Sequence, residues 1–533
     1  MVDEYRPLDH QDHGGTRLAE AVRECYSQDQ TDYSLEPIVA FDAQGEAIGR
    51  IKDGDAVIFC CRRGERETQL TEAFVEPSPE QFPRTRFENL TFVILTLYHE
   101  KFKDLPVAFA PTKIRETLGE IVSHANLRQL HLAESEKFAH VTFFFNGGNN
   151  QPFVGEDDVC IPSPKGIPFD QIPELSLPEV AQQVLDGIEK RYDLIVTNFA
   201  NGDTIGHTPN CEAKIKCAEH VDARLGEVLN AALAADYVVM VTADHGNLEE
   251  MFNPDGTPNV SHTANLVPFV LIDPRTPSQI SLNDGRLADI APTILDALGL
   301  PPPAEMAGVC LAHAHNWGGT RRVLLIILDG WGIGPDDQTN PIFLAPTPVW
   351  DDLIRRFPHS QLQAAGTAVG LKPGKAGNSE AGHMNIGAGR VLLQDDSRLD
   401  MAMLDGSFYT NEILCGAIQD VKQRNANLHL IGLLSEKSSH GSIDYPLALL
   451  RMAKASGLDN VYLHIIFDGR STEPGSAPAL LEILDNKIEE IGLGQIVTGM
   501  GRAIALDRNR NYAKTYRAYD ALVSGTGKKY FLN

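Results

Sequence analysis

Three aspartates, three histidines and one serine in this chain have the types and neighbours needed to hold two cations around a hydroxyl. They occur in NFANGDTIGH (Asp203, His207), VTADHGN (Asp244, His245), SHTAN (His262), LLIILDGWG (Asp329) and AGNSEAGH (Ser379). Asp203 and His207 are four apart, which suits one face of a helix opening after a strand. Mixed carboxylate and imidazole ligands fit Mn, Zn, Co or Fe better than Ca, which prefers oxygen shells. Alone, Asp-x3-His also fits a capping aspartate and an ordinary histidine. The set carries the argument, because three strand ends supply Asp203, Asp244 with His245, and Asp329. Two metals can polarise a phosphoryl group and lower the pKa of a bound hydroxyl. Ser379 is the candidate hydroxyl: it follows Gly377-Asn378 and opens a helix, so backbone N–H groups would face a phosphate. On its local sequence alone, Ser379 reads as an N-cap. Lys137, in AESEKFAH, could neutralise a phosphoryl oxygen, whereas a lone lysine beside two glutamates is commonly solvated. The set as a whole points to phosphoryl transfer.

A second group is basic. Arg63 and Arg66 lie in CCRRGER, Arg470 in FDGR, and Arg502 and Arg508 in GRAIALDR, each after an apolar run. Planar guanidiniums bind carboxylate and phosphate through paired hydrogen bonds. His440, in LLSEKSSHGS, could donate or accept a proton. Each arginine alone reads as a surface residue or half of an ion pair. Together they would offset the repulsion between a small anionic substrate and a chain of formal charge -26.

These residues need strands to position them. Short apolar runs alternate with helix-like segments, the pattern of a parallel α/β sheet. One set lies between residues 112 and 395 and contains HVTFFF, YDLIVTNF, YVVMVTA, VPFVLI and RVLLIIL. The other set lies at the two ends of the chain, in DAVIFCC, TFVILTLY, LHLIGLLS, VYLHIIF and QIVTGMG. Ligand sites in open parallel sheets lie beyond the carboxyl ends of the strands, so each set is expected to form a domain with its own active edge. Boundaries are expected near 106–114 and 387–396. That gives a first part over 1–110, a continuous domain over 112–395, and a second part over 396–533.

At 533 residues the chain exceeds one ordinary core. Its net charge argues against a nucleic-acid or membrane-surface partner. Eight cysteines show no CxxC spacing, the acidic N-terminus does not read as a signal peptide, and the apolar runs are strand-sized. A reduced, cytoplasmic protein is expected.

The motifs LLIILDGWG, GNSEAGHMNIGAGR, AESEKFAHVTFFFNGG, NFANGDTIGHT, VTADHGN and LADIAPTILDALGLP together resemble cofactor-independent phosphoglycerate mutase, of the alkaline phosphatase superfamily. The resemblance covers nearly the whole chain. In that family the Asp-Gly-Trp-Gly strand opens the chain, and the segment matching Leu287–Gly308 closes it. Here the closing segment runs through CLAHAHNWGGTRR into the opening strand. The order resembles a circular permutation, roughly residues 320–533 followed by 1–319. It implies a continuous phosphatase-like domain and a transferase domain split between the two ends.

By resemblance, Asp203, His207 and His262 hold one metal, and Asp329, Ser379, Asp244 and His245 the other. Ser379 is the phosphorylated nucleophile and Lys137 bridges it to the phosphoryl group. His440, Arg470, Arg502, Arg508, Arg63 and Arg66 bind and orient the glycerate. The implied reaction interconverts 3-phosphoglycerate and 2-phosphoglycerate. It uses two divalent ions, Mn with Mg or Co as alternatives, and no 2,3-bisphosphoglycerate. The expected enzyme is a monomer acting on a small molecule, with no nucleic-acid or membrane partner.

Three departures fall in the transferase half. Ser471 replaces the aspartate of DGRD, Ser442 replaces the second histidine of GGVHSH, and Cys61-Arg62 replaces Asn-Phe. They leave open a metal-dependent phosphatase, in which a poorly held glycerate lets the phosphoserine hydrolyse, and a non-catalytic metal-binding relative.

Overall fold

The structure is a computed structural model that describes residues 12–62, 66–76, 82–110, 114–276, 280–312, 314–436, 438 and 440–532. The chain divides into two compact units. One joins Met1–Pro111 to Arg398–Asn533, and the other is the continuous stretch Thr112–Ser397.

The continuous unit is built on eight strands. Their order across the sheet is Gly285–Arg286, His359–Gln363, Val267–Ile272, Tyr237–Thr242, Arg322–Leu328, Leu194–Phe199, Gln129–Glu134 and Glu156–Ile161. All neighbours pair in parallel except around Val267–Ile272, which runs antiparallel to both of its partners. Arg322–Leu328 lies between Tyr237–Thr242 and Leu194–Phe199 and is buried along almost its whole length. Such unbroken runs (YVVMVT, LIVTNF, VLLIIL) are what a strand covered on both faces requires.

HVTFFF is not a strand. His140–Phe144 forms a wide helical turn. Val141 and Thr142 are buried, Phe143 and Phe144 half-buried, and Phe145 and Asn146 buried again, a period of four rather than two. The strand of this region is Gln129–Glu134, hidden from a hydropathy reading by its buried Gln129, His131 and Glu134.

The other unit carries a second sheet of eight strands. They lie in the order Lys528–Phe531, Ile38–Phe41, Gln495–Gly501, Val461–Phe467, Leu428–Leu434, Ala56–Phe59, Thr91–Thr96 and Val107–Phe109. Only Ile38–Phe41 against Gln495–Gly501 is antiparallel. Strands from the two ends of the chain are neighbours: Ala56–Phe59 pairs with Leu428–Leu434, and Ile38–Phe41 with Lys528–Phe531. Alternate residues feed two separate cores, Ala56 and Ile58 on one face, Val57 and Phe59 on the other.

Candidate active site and metal centre

Three adjacent strands of the continuous unit end at one place. Leu194–Phe199 runs into the short helix Asn201–Gly206 carrying Asp203, with His207 just beyond it. Tyr237–Thr242 delivers Asp244 and His245, and Arg322–Leu328 delivers Asp329. Two glycines let these chain segments touch. A Cβ on Gly202 would lie 2.4 Å from the Asp329 carbonyl, and one on Gly330, which has a φ of +73°, would lie 2.7 Å from the Asp203 nitrogen.

Ser379 is the first residue of the helix Ser379–Ala388. Asn378, not Ser379, is the cap: its side chain accepts from the Ala381 N–H at 2.9 Å. The serine hydroxyl is thereby released for other work. It sits at the positive end of the helix and is only 6% exposed.

Lys137 is equally buried and lies at the centre. Its Nζ donates to Ser379 Oγ at 2.6 Å, and to Asp203 Oδ2 and Asp329 Oδ1 at 2.7 Å each. His245 Nε2 lies 2.9 Å from the same Ser379 Oγ, and Asp329 Oδ1 accepts from that hydroxyl at 3.3 Å. On the other side of Asp203, its Oδ1 faces His207 Nε2 at 3.2 Å and His262 Nε2 at 3.1 Å. The two histidine nitrogens are 3.0 Å apart. Each ring is oriented by a backbone carbonyl, Val260 for His207 Nδ1 and Gly377 for His262 Nδ1, both at 2.8 Å. Such bonds place the proton on Nδ1 and turn the Nε2 lone pair inward.

The electrostatics fit a bound cation. Three buried carboxylates face one ammonium, leaving a surplus of negative charge when the imidazoles are neutral. Burial alone would raise the Asp203 pKa, but Lys137, His207 and His262 hold it well below the usual range. Asp329 is pushed up by burial and by Asp244 beside it. Lys137 is held above its ordinary value despite burial, by Asp329, Asp203 and Asp244. Asp244 Oδ2 is buried and accepts no hydrogen bond, a costly state that a metal ion would relieve. Asp203, His207 and His262 bring donor atoms within 4.8 Å of one another, as do Asp203, His245 and Asp329. The structure therefore brings together Lys137, Asp203, His207, Asp244, His245, His262, Asp329 and Ser379.

The sequence reading missed His383. Its ring is fully buried, with Nδ1 3.3 Å from Asp244 Oδ2, and it groups with Asp244 and Asp329 as a third cluster of donor atoms. The signal was its spacing of four from Ser379 on the same helix.

The basic residues lie in the other unit. His440 Nδ1 is 3.2 Å from Oε1 of the buried Glu67, whose pKa burial pushes up. Arg502 is buried against Asp468. Arg66 is buried and donates to the Leu506 carbonyl at 3.2 Å. Arg470, Arg508 and Ser471 are exposed. Arg63 lies outside the described residues. Arg62, passed over as a mere departure, is an internal strut. It donates to the Tyr445 hydroxyl and, at 3.0 Å, to the Ser438 carbonyl, while its own N–H donates to the His440 carbonyl at 2.8 Å.

Among the described residues, no helix is long and apolar enough to cross a membrane.

The family model described as Metalloenzyme superfamily matches residues 8–302. The model described as the BPG-independent PGAM N-terminus matches residues 399–532. A segment described as an N-terminus thus follows the metalloenzyme match, which is the circularly permuted order. A 2,3-bisphosphoglycerate-independent phosphoglycerate mutase of Moorella thermoacetica is 45% identical over 300 residues, 56% of this chain and 58% of that protein. The protein of the same name from Bacteroides thetaiotaomicron is 42% identical over 297 residues, again 56% and 58%. The matched stretch therefore spans less than two thirds of these relatives. A crystal structure of Leishmania mexicana phosphoglycerate mutase, 26% identical, aligns over 50% of this chain and 52% of that one with a TM-score of 0.39, too low to bear on the fold. With its metalloenzyme match running across residues 8–302, the chain belongs to the Metalloenzyme superfamily.

Proposed function

We propose that the chain interconverts 3-phosphoglycerate and 2-phosphoglycerate, without 2,3-bisphosphoglycerate, through a phosphoserine at Ser379. One observation carries this reading. Ser379 Oγ is buried within 3.3 Å of a lysine ammonium, a histidine ring and an aspartate, in a site with surplus carboxylate. Relatives that match over half of the chain bear the mutase name.

In the first half-reaction Ser379 Oγ bonds to phosphorus as the P–O bond to the glycerate O3 breaks. The proton lost from the serine is balanced by the one gained at O3. In the second half, glycerate O2 attacks the phosphoserine, gives up its proton, and Ser379 is restored. Lys137 holds the serine oxygen in line and offsets charge on the phosphoryl group. Asp203, His207 and His262 would hold one divalent cation, and Asp329, Ser379, Asp244 and His245 the other, with Mn preferred and Mg or Co as alternatives. Bound there, the ions would supply Lewis acidity to the nucleophile and the phosphoryl oxygens. Arg63, Arg66, Arg470, Arg502 and Arg508 bind the glycerate anion, and His440, oriented by Glu67, carries protons to and from its hydroxyls. The enzyme works as a cytoplasmic monomer.

A phosphatase reading has one observation on its side: the exposed Ser471 next to Arg470 offers no carboxylate to the glycerate hydroxyls. Either reading requires the same nucleophile. Acid quenching after brief exposure to 32P-labelled 3-phosphoglycerate and Mn should leave label on the Ser379 peptide. Ser379→Ala should carry no label and lose turnover by about 10^3-fold or more. Label on another residue, or substantial turnover by the variant, would remove Ser379 from this role.

A further inference from the structure

His383 and Asn198 form a buried polar pair beneath the nucleophile, and the reaction described above uses neither. Both residues are 0% exposed. Asn198 lies on the central strand Leu194–Phe199, and His383 lies one turn after Ser379 on its helix. The Asn198 amide group gives one hydrogen to Asp329 Oδ2 at 2.6 Å and faces His383 Nε2 at 3.0 Å with the other. His383 Nδ1 lies 2.9 Å from the Ser379 carbonyl and 3.3 Å from Asp244 Oδ2.

The proton positions follow from the acceptors. A carboxylate oxygen can only accept, so the Asn198 atom facing Asp329 is the amide nitrogen. Turning the amide over would set its carbonyl oxygen against the carboxylate. That nitrogen then donates to His383 Nε2, which must carry a lone pair. The His383 proton is therefore on Nδ1, where the Ser379 carbonyl accepts it and Asp244 Oδ2 lies close by at 3.3 Å without a hydrogen bond of its own. One tautomer satisfies every contact. The arrangement has a cost, because Asn198 Oδ1 is left buried with no hydrogen bond. A native fold rarely tolerates such an atom without a return elsewhere.

The return lies in where the carboxylates point. Asn198 holds Asp329 by Oδ2 and leaves Oδ1 directed at Lys137 and Ser379. Asp244 is held through Oδ1 by the N–H groups of His245 and Gly330, at 3.0 and 3.2 Å. Its Oδ2 is left with the His383 N–H as nearest donor. One imidazole thus links both carboxylates and the backbone of the nucleophile.

We propose that His383, acting through Asn198, is a positioning residue that aims Asp329 and Asp244 at the bound cation and fixes the Ser379 turn against them. The inference rests on reading Asp244 and Asp329 as cation ligands; it does not depend on which phosphorylated substrate is used. Outer partners of metal ligands commonly matter by about 10- to 100-fold in metal affinity.

The test is Mn2+ binding alone, measured by titration calorimetry on the full chain with no substrate present. His383→Leu should weaken Mn2+ binding by about 10- to 100-fold. His383→Gln, whose Oε1 can accept from Asn198 where Nε2 did, should recover most of that loss. A purely space-filling role would not distinguish leucine from glutamine in this order. Asn198→Leu is read in place of His383→Leu if the latter lacks the native circular-dichroism spectrum, with the same expected loss. Wild-type Mn2+ affinity in the folded leucine variant, or glutamine no better than leucine, overturns the inference and leaves the metal site standing. A wild-type chain that binds no Mn2+ overturns the inference and the metal reading together.

Discussion

Lys137 shows how differently a residue reads alone and in place. In the sequence it sits beside two glutamates and looks solvated. In the fold it is 6% exposed and donates to Ser379, Asp203 and Asp329, residues at least 66 positions away. No local pattern encodes those distances, so its partners were legible only through family resemblance. Ser379 was ambiguous for the same reason: a serine after Asn reads as a cap until the structure gives the cap to Asn378. His383 was available from its spacing to Ser379, but a lone histidine on a buried helix face gives no sign of what it meets. If Lys137 holds the serine oxygen, Lys137→Met should lower turnover by about 10^2- to 10^3-fold, the range for loss of one charged transition-state donor. Its KM should change far less, because under the proposed function substrate binding would draw on the arginines. A KM rise with kcat unchanged would make Lys137 a binding residue only.

Among the elements, strands carrying the chemistry were easy to find, because burial on both faces forces continuous apolar runs such as VLLIIL and YVVMVT. Strands at the sheet margins or with polar interiors were not, as Gln129–Glu134 and His359–Gln363 show. Polar residues also line the inside of the second sheet. Asp55 Oδ2 is 3.1 Å from His429 Nε2, His429 Nδ1 is 3.0 Å from His464 Nε2, and His464 Nδ1 is 2.9 Å from Thr498 Oγ1. One direction of donation satisfies this chain with both rings neutral. Burial holds the pKa of His429 below its ordinary value and that of His464 well below it. In the unfolded chain each takes up a proton near pH ~6.5. The unfolded state thus binds more protons below that pH, and stability present above it is lost as pH falls. Asp55, itself held low with its His429 and Asn427 partners overcoming burial, gives way only in stronger acid. His207 and His262, which Asp203 holds above their ordinary values, act in the opposite direction. The informative quantity is therefore a difference between chains. The melting temperature of wild type should fall more steeply from pH 7.5 to pH 5 than that of His464→Gln, with Lys52 and Tyr462 unchanged beside the pair. Identical slopes would show that the buried histidines do not govern acid stability.

For the whole molecule, the order of the segments matters less than which strands they pair. Residues from both ends of the chain complete one sheet, while the stretch between them builds the other. The motif order revealed this arrangement because the Asp-Gly-Trp-Gly strand lies inside the chain, as a central strand between two that precede it in sequence. What the motifs left obscure was the condition of the arginines. Arg66 and Arg502 prove to be buried and engaged with the Leu506 carbonyl and Asp468, while Arg470 and Arg508 are exposed. The Arg66 contact joins segments 440 residues apart in the chain. The altered residues Ser471 and Ser442 also fall in this unit, so under the proposed function the balance between returning the phosphoryl group to glycerate and losing it to water would be set there. The most direct measurement supplies the purified chain with 3-phosphoglycerate and Mn, omits 2,3-bisphosphoglycerate, and follows 2-phosphoglycerate and free phosphate together. The expected result is 2-phosphoglycerate with little phosphate release. Phosphate release without 2-phosphoglycerate would contradict the account and establish a phosphatase in its place.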